Sequence, residues 1–386
     1  MNDRIPDEPA LCSAKPRTRT QPALLSVVIP CFNESATLQA CVEQVLLIAD
    51  ETLNLEIIIV DDGSTDDSVA VASKLENSHD GVRVLRHEEN QGKGAALRTG
   101  IEHATGDYVA IHDADLEYDP QDLKRLLVPL QQGKADVVIG SRFLTSGAHR
   151  VLYFWHSVAN RILTLFSNML TDLNLSDIEC CHKVFLKDVI KDIDLAENRF
   201  GVEPEIIAKI ARRRLRIYEM GVTYSGRSYA EGKKIGWKDA IAAIYCILHY
   251  NLPYCAAPIQ FLFYLFVGGT AALVNLSIFV VLFSIGVHVE LSAPIAFLVA
   301  AGVNYLLSIA FVFRHNAKWR TTSELVIYIV VVLCIGAFDL WITKMLLLAG
   351  FSPVIAKGAA SISGLLLNYL GRRYVVFFTK PTGDWR

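Results

Sequence analysis

The chain has 386 residues, a formal net charge of −3, 52% hydrophobic and 20% charged residues, and a mean hydropathy of +0.33. The charges are unevenly placed: the 129 residues from Pro258 to Arg386 carry 9 Lys and Arg and 4 Asp and Glu, while the first 257 are about one-quarter charged, the soluble average. This excludes a wholly soluble protein, a collagen-like or disordered chain and a small secreted scaffold, and the acidic first part argues against a nucleic-acid partner.

Met1–Ala23 contains four prolines and four basic residues but no apolar core, so it reads as a disordered tail (1–23) rather than a signal peptide. The eight cysteines, Cys12, Cys31, Cys41, Cys180, Cys181, Cys246, Cys255 and Cys334, form no CxxC pair and no zinc spacing. They read as free thiols in a reducing compartment, which places the soluble part in the cytoplasm.

Leu25–Cys31 (LSVVIPC) is a short apolar strand ended by Phe32-Asn33-Glu34. Leu38, Cys41, Val42, Val45 and Leu46 then recur at helical spacing. Leu55–Val60 is a second strand, stopped by Asp61-Asp62-Gly63-Ser64, and a helix is expected over Asp66–Leu75 with Thr65 or Asp66 as cap. Val82–Leu85 is a third strand, Lys93–Ala104 a helix after Gly92, and Asp107–Ile111 a fourth strand that runs into His112-Asp113-Ala114-Asp115. Pro120 opens another helix and Ala135–Gly140 is a fifth strand. Continuous apolar strands alternating with helices predict an α/β domain with a mainly parallel sheet. Ligands of such sheets bind beyond the carboxyl ends of the strands, where Glu34, Asp61, Asp62, Asp113 and Asp115 all fall.

An Asp after a strand is ordinary turn chemistry, but three acidic clusters at equivalent ends point to a cation site. Asp113-x-Asp115-x-Glu117 offers alternating carboxylates suited to a hard divalent ion, and Mg²⁺ would sit between Asp115 and a substrate diphosphate. Asn90-Gln91-Gly92-Lys93-Gly94 lacks the GxxxxGK[ST] frame of a Walker loop. Its glycines either let the backbone approach a ligand or simply turn the chain.

Five runs in order, SVVIPCFNE, IIIVDDGSTD, NQGKGAALRTG, GDYVAIHDADLEYDP and ADVVIGSRF, resemble glycosyltransferase family 2, of GT-A (Rossmann-like) fold. Residues 199–239 are similar to the branch that makes polyprenyl-phosphate sugars, typified by dolichol-phosphate mannosyltransferase. The QxxRW of processive polysaccharide synthases is absent. The resemblance implies that Pro30, Glu34, Asp62, Lys93 and Asp113 line the nucleotide-sugar site. It further implies that Asp113, Asp115 and Glu117 hold Mg²⁺ or Mn²⁺, with Glu117 standing where the family often has Gln. It makes Asp115, Arg142 and Arg227 catalytic, and assigns the lipid phosphate to Arg142, Arg150, Lys233 and Lys234. In this chemistry the metal and the basic groups neutralise charge growing on the leaving diphosphate. A lipid phosphate, largely ionised near neutral pH, attacks without a strong base. A single displacement inverts the anomeric centre.

Val151–Leu173 presents Leu152, Trp155, Ile162, Met169 and Leu170 along a helical face. It reads as an interfacial amphipathic helix, with an ordinary core helix as the alternative. Arg212, Arg213, Arg214 and Arg216 are a basic run, either a solvated face or a headgroup contact. Trp237–Tyr254 is a second amphipathic candidate. Apolar stretches near 259–285, 291–313, 325–349 and 353–378 could each cross a hydrocarbon core of about 30 Å. The basic residues beside them predict cytoplasmic termini. A shift of 64 residues aligns Tyr264 with Tyr328, Asn275 with Asp339, Gly286 with Gly350 and Tyr305 with Tyr369. This is a duplicated two-helix hairpin that resembles the GtrA-like membrane domain family.

The expected organisation is a tail (1–23), a GT-A catalytic domain (24–236, with the interfacial helix at 151–173), a juxtamembrane segment (237–257) and an all-α domain of four membrane helices (258–380). The expected activity is inverting transfer of one sugar from a UDP- or GDP-sugar to a polyprenyl phosphate at the cytoplasmic face of the inner membrane. The expected partners are that donor, that acceptor and the bilayer, with no nucleic acid; a homo-oligomer is left open. The rival readings are a lipid-linked sugar flippase or transporter, and a transferase with a non-lipid acceptor.

Overall fold

The computed structural model describes residues 22–144, 150–227, 237–309 and 321–351, and scattered positions beyond 351. The chain divides into two compact units, residues 1–247 and 248–386.

The first unit is built on a seven-stranded sheet in the order β3-β2-β1-β4-β6-β5-β7. Its strands are β1 (Ala23–Cys31), β2 (Leu53–Asp61), β3 (Val82–Arg86), β4 (Tyr108–Ile111), β5 (Val137–Ser141), β6 (Lys183–Leu186) and β7 (Ile217–Gly221). β1 pairs in parallel with β2 and β4, β2 with β3, and β5 with β7; β6 runs antiparallel to both β4 and β5. The mainly parallel sheet is therefore present. Its central strands bury both faces, with Val27, Val28, Ile29, Ile57, Ile58, Ile59, Val109 and Ile111 all fully enclosed, which explains their continuous apolar runs.

The covering helices are α1 (Leu38–Leu46), α2 (Ser68–Ser78), α3 (Lys93–His103) and α4 (Gln121–Gln131), then α5 (Phe154–Thr171), α6 (Lys187–Lys191), α7 (Val202–Arg212) and α8 (Trp237–Asn251). Helix α2 starts two residues later than the sequence suggests. Its cap position is Asp67, without a side-chain cap bond, while the Asp66 carboxylate accepts the Ser68 N–H at 3.0 Å. Two members of the arginine run are held in ion pairs. Arg213 pairs with Asp192, and Arg216 grips Asp136 through Nη2 at 2.6 Å and Nε at 3.1 Å.

Helix α5 is apolar on the outside. Trp155 is 77% exposed, Ile162 58%, Leu165 62% and Met169 56%, whereas Asn160, Thr164, Ser167 and Thr171 face inward and are buried. This inverts the usual arrangement of a surface helix on a soluble domain.

In the second unit, α9 (Ala257–Ser284), α10 (Val289–Leu307) and α11 (Thr321–Leu348) follow one another. Among the described residues, Ala257–Leu282, with a mean hydropathy of 2.2, is long and apolar enough to cross a membrane. Most of the fourth expected stretch, 353–378, lies outside the described residues. The repeat is visible in the packing. Tyr264 meets Tyr369 at 5.5 Å between ring centroids, and the residues 64 positions away from each, Tyr328 and Tyr305, meet at 5.1 Å.

Candidate active site

The carboxyl ends of β1, β2 and β4 bring Glu34, Asp62, Asp113, Asp115 and Glu117 to one rim of the sheet. Two tight turns shape that rim, with Asn33 at φ 54° and Leu116 at φ 60°. The Asn33 side chain spans from β1 to β2 by accepting the Thr65 N–H at 2.8 Å, while the Asn33 N–H donates to Ser64 Oγ at 3.0 Å.

Arg227 ties the rim together. Its Nη2 lies 3.2 Å from both Glu34 carboxylate oxygens and 3.3 Å from Asp115 Oδ2, and its backbone N–H donates to Glu117 Oε1 at 2.7 Å. The Tyr224 hydroxyl donates to Glu117 Oε2 at 2.7 Å. Both Glu117 oxygens are thus engaged. Asp113 is engaged by a different cation, Lys93 Nζ, at 2.8 and 2.9 Å.

Asp113, Asp115 and Glu117 are therefore not gathered around one point. Among the described residues, no three His, Cys, Asp or Glu side chains converge as a metal cluster. The donor set still fits a hard cation in one form. Asp115 is the acid of the three whose pairing is loosest, and Mg²⁺ characteristically takes one or two carboxylates plus substrate phosphates.

Asp62 and Lys93 serve the scaffold of the rim. Asp62 Oδ1 lies 2.7 Å from His87 Nδ1 and accepts the Gln91 N–H at 3.0 Å, while Oδ2 accepts the Gly92 N–H at 2.7 Å. These bonds fix the NQGKG loop beneath β2. The glycines of that loop answer to the protein's own backbone. A Cβ on Gly92 would lie 2.3 Å from the Asn198 carbonyl oxygen, and one on Gly94 would lie 2.1 Å from that of Glu197. Lys93 also approaches Glu203 Oε1 at 3.2 Å, and Glu203 is ion-paired with the fully buried Lys183. The result is a chain of alternating charge, Asp113–Lys93–Glu203–Lys183, half-buried at Asp113 and Lys93 and buried at Glu203 and Lys183. Pro30 sits half-buried near the end of β1, opposite Val60.

The paired histidines behind the rim, His112 and His182, are not suited to be bases. Both are buried and share a 2.7 Å contact. Burial pushes His112 down to about 4 and holds His182 well below the usual imidazole range.

Arg142 follows β5 and is clamped from one edge. Its Nε and Nη2 donate to Asp177 at 2.7 and 2.8 Å, and its backbone N–H donates to the same carboxylate at 3.1 Å. Its guanidinium also lies 5.3 Å from the Tyr224 ring centroid. Burial alone would raise the Asp177 carboxyl, but the Arg142 charge and hydrogen bonds outweigh it and hold Asp177 below its ordinary value. Arg142, Arg150 and Arg227 line one cavity of 620 Å³ whose other walls include Val151, Leu152, Trp155 and Ala243. Lys233 and Lys234 lie outside the described residues. The sequence alone gave no sign of Asp177, Asn160, Glu179 or Glu203. The usable signal was the pair Asp177-x-Glu179 just before β6, a strand too short and too mixed to be recognised.

Residues 26–194 match the family described as Glycosyl transferase family 2, and residues 263–377 match the GtrA/DPMS transmembrane domain. The low-salt glycan biosynthesis hexosyltransferase Agl6 of Haloferax volcanii is 30% identical over 220 residues, covering 55% of this chain and 51% of that protein. The dodecaprenyl-phosphate galacturonate synthase of Rhizobium johnstonii is 28% identical over 211 residues, covering 54% of this chain and 61% of that protein. The alignments with these two therefore span between half and two-thirds of each relative. The dolichol-phosphate mannosyltransferase of Pyrococcus furiosus is 24% identical over 357 residues, covering 91% of this chain and 97% of its own length. The chain thus joins a mixed α/β sheet domain that matches glycosyltransferase family 2 to a helical segment that matches the GtrA/DPMS transmembrane domain.

Proposed function

We propose that the protein transfers a single sugar, with inversion, from a UDP- or GDP-sugar to a polyprenyl phosphate at the cytoplasmic face of the inner membrane. The observation that carries this reading is the cavity in which three arginines meet apolar walls. A phosphate on an isoprenoid tail needs both: cationic forks for the head and apolar surface for the chain. The outward apolar face of α5, which borders that cavity, supports docking on a bilayer. Two relatives whose names specify dodecaprenyl-phosphate and dolichol-phosphate transfer support the acceptor class.

In this reading Glu34, Pro30 and the loop anchored by Asp62 receive the nucleotide. Asp115 would hold Mg²⁺ or Mn²⁺ against the donor diphosphate, where the ion stabilises charge on the leaving group. Arg227 binds Glu34 and Asp115 in the structure. On donor entry it turns its charge to the diphosphate, supplying a second cation as the anomeric bond breaks. Arg142 is held by Asp177 through Nε and Nη2, so its Nη1 edge takes the acceptor phosphate, with Arg150 beside it. The neutral His112 and His182 fit a reaction in which an ionised phosphate needs no proton removed. Four membrane spans, with both termini cytoplasmic, keep this site at the bilayer surface. The test is a screen of radiolabelled UDP- and GDP-sugars with a short polyprenyl phosphate and purified full-length protein in detergent. One labelled lipid product is expected. Donor binding without any lipid product from the whole panel would sink the reading.

A further inference from the structure

Among the described residues, Glu179 is the one carboxylate that lines the 620 Å³ cavity. It follows Asp177 in the loop that leads into β6, and its backbone N–H donates to Asp177 Oδ1 at 3.2 Å. Among the described residues, its side chain takes no part in the ion pairs that organise the neighbouring groups. Oε1 is buried and has no hydrogen-bond partner among the described residues. A buried oxygen left without a donor is costly, so a donor supplied by the substrate is the natural complement.

The chemistry of the substrates narrows the source. An ionised lipid phosphate offers only acceptor oxygens, its tail offers none, and the donor diphosphate again only accepts. The nucleoside is expected at the rim by Glu34 and Asp62, neither of which lines the cavity. The group that enters this cavity carrying hydrogen-bond donors is the sugar, through its hydroxyls.

We propose that Glu179 reads the transferred sugar: Oε1 accepts a hydrogen bond from a sugar hydroxyl, and the carboxylate turns away sugars that bear a carboxylate of their own. This rests on the transferase reading and deepens it by naming a neutral hexose, not a hexuronate, as the sugar class. A misplaced like charge filters through repulsion as well as through a lost contact.

The surroundings make the filter dependent on pH. Burial, and then Glu203 on α7, push the Glu179 carboxyl up to about 7, against the opposing pull of Lys183 on β6 and Arg142 after β5; Asp177 in the same loop adds to the rise. Cys246 of α8, itself pushed up to about 12, stays neutral. His156 and Arg227 complete the titratable groups of the cavity wall with Arg142 and Arg150. Glu179 is thus mostly ionised at pH 8 and mostly neutral at pH 6.

The test is equilibrium binding to the full-length protein by calorimetry, which needs no acceptor and no turnover. The probes are UDP-glucose against UDP-glucuronate, and GDP-mannose against GDP-mannuronate, at pH 8 and pH 6. With the nucleotide that the protein takes, the neutral sugar should bind on the order of tenfold or more tightly at pH 8, and the gap should shrink at least about threefold at pH 6 as Glu179 takes up its proton. In Glu179→Gln, which keeps a carbonyl acceptor but no charge, the gap should be small and flat with pH. Equal binding of the two sugars by the wild-type protein at pH 8, or a gap that does not change with pH, overturns the assignment whether or not the variant folds. So does a gap retained in Glu179→Gln. Failure of the transferase reading would show separately, as discrimination in binding with no lipid product in the radiolabel screen.

Discussion

Replacing Asp177 by Asn tests whether Arg142 is prepared for the acceptor by its buried partner. Asp177 accepts from Arg142 N, Nε and Nη2, from Asn160 Nδ2 at 3.2 Å and from the Glu179 N–H. An amide keeps the shape but has one acceptor oxygen, and its NH₂ would face donors. Removing one member of a buried ion pair destabilises by about 3–5 kcal/mol; the one or two arginine hydrogen bonds that a single amide oxygen still accepts justify the lower end, about 3 kcal/mol. For a unit of this size each kcal/mol lowers Tm by about 2–4 °C, so the loss should be about 6–12 °C. Arg142 would also be released from its clamp, so the KM for a short polyprenyl phosphate should rise about tenfold or more while donor KM changes little. Thermal unfolding of full-length protein in detergent, followed by intrinsic fluorescence, and steady-state kinetics with each substrate varied would measure both. A Tm within about 1 °C of wild type, together with an unchanged acceptor KM, would refute the role given to the pair.

Asp115→Ala should lower kcat at least ~10²-fold without loss of fold, because a charge-stabilising ligand is removed where the leaving group forms; chelator should reproduce the effect in wild type and added Mg²⁺ or Mn²⁺ should reverse it. Replacing Ile162, Leu165 and Met169 together by Ser should leave Tm near the wild-type value, since these side chains are exposed and none lines the cavity. The same change should lower kcat/KM for long-chain acceptor in vesicles, with little effect on a short acceptor in detergent; equal loss on both would count against bilayer docking. The His112 imidazole, pushed from 6.5 to about 4 by burial, binds a proton in the unfolded chain before it does so in the folded one. Stability should therefore be complete above about pH 6.5, fall by roughly 3 kcal/mol as the pH drops towards 4, and level off below. Denaturation across that range, with His112→Asn as the comparison, should show a shallower fall in the variant.

The strands β1 to β5 were legible because each is a continuous apolar run between turn signals, which is what a strand buried on both faces requires. β6 was not, because its four residues open with Lys183, and a lysine reads as surface until its partner Glu203, supplied from 20 positions away, is known. β7 is a half-exposed edge with no strong pattern. The acidic rim was legible as a place but not as a division of labour. That Asp62 braces a loop while Asp115 stays loosely paired depends on Lys93, His87 and Arg227, whose approach only the folded chain reveals. The glycines of the NQGKG loop show the same limit: close approach was foreseen, but the approaching group is the backbone at residues 197–198.

The charge chain Asp113–Lys93–Glu203–Lys183 bears on how such enzymes can be recombined. Its members come from the end of β4, the start of α3, the start of α7 and the start of β6. A chimera that exchanges any one of these segments with another transferase imports half of an ion pair and strands the other half, which for Lys183 and Glu203 lies in the protein interior. Segment boundaries chosen by sequence alone would cut this chain almost anywhere between residues 93 and 203. Positions 93, 113, 183 and 203 therefore form one heritable block. A graft meant to alter sugar choice, but intended to leave the rim intact, has to carry all four or none.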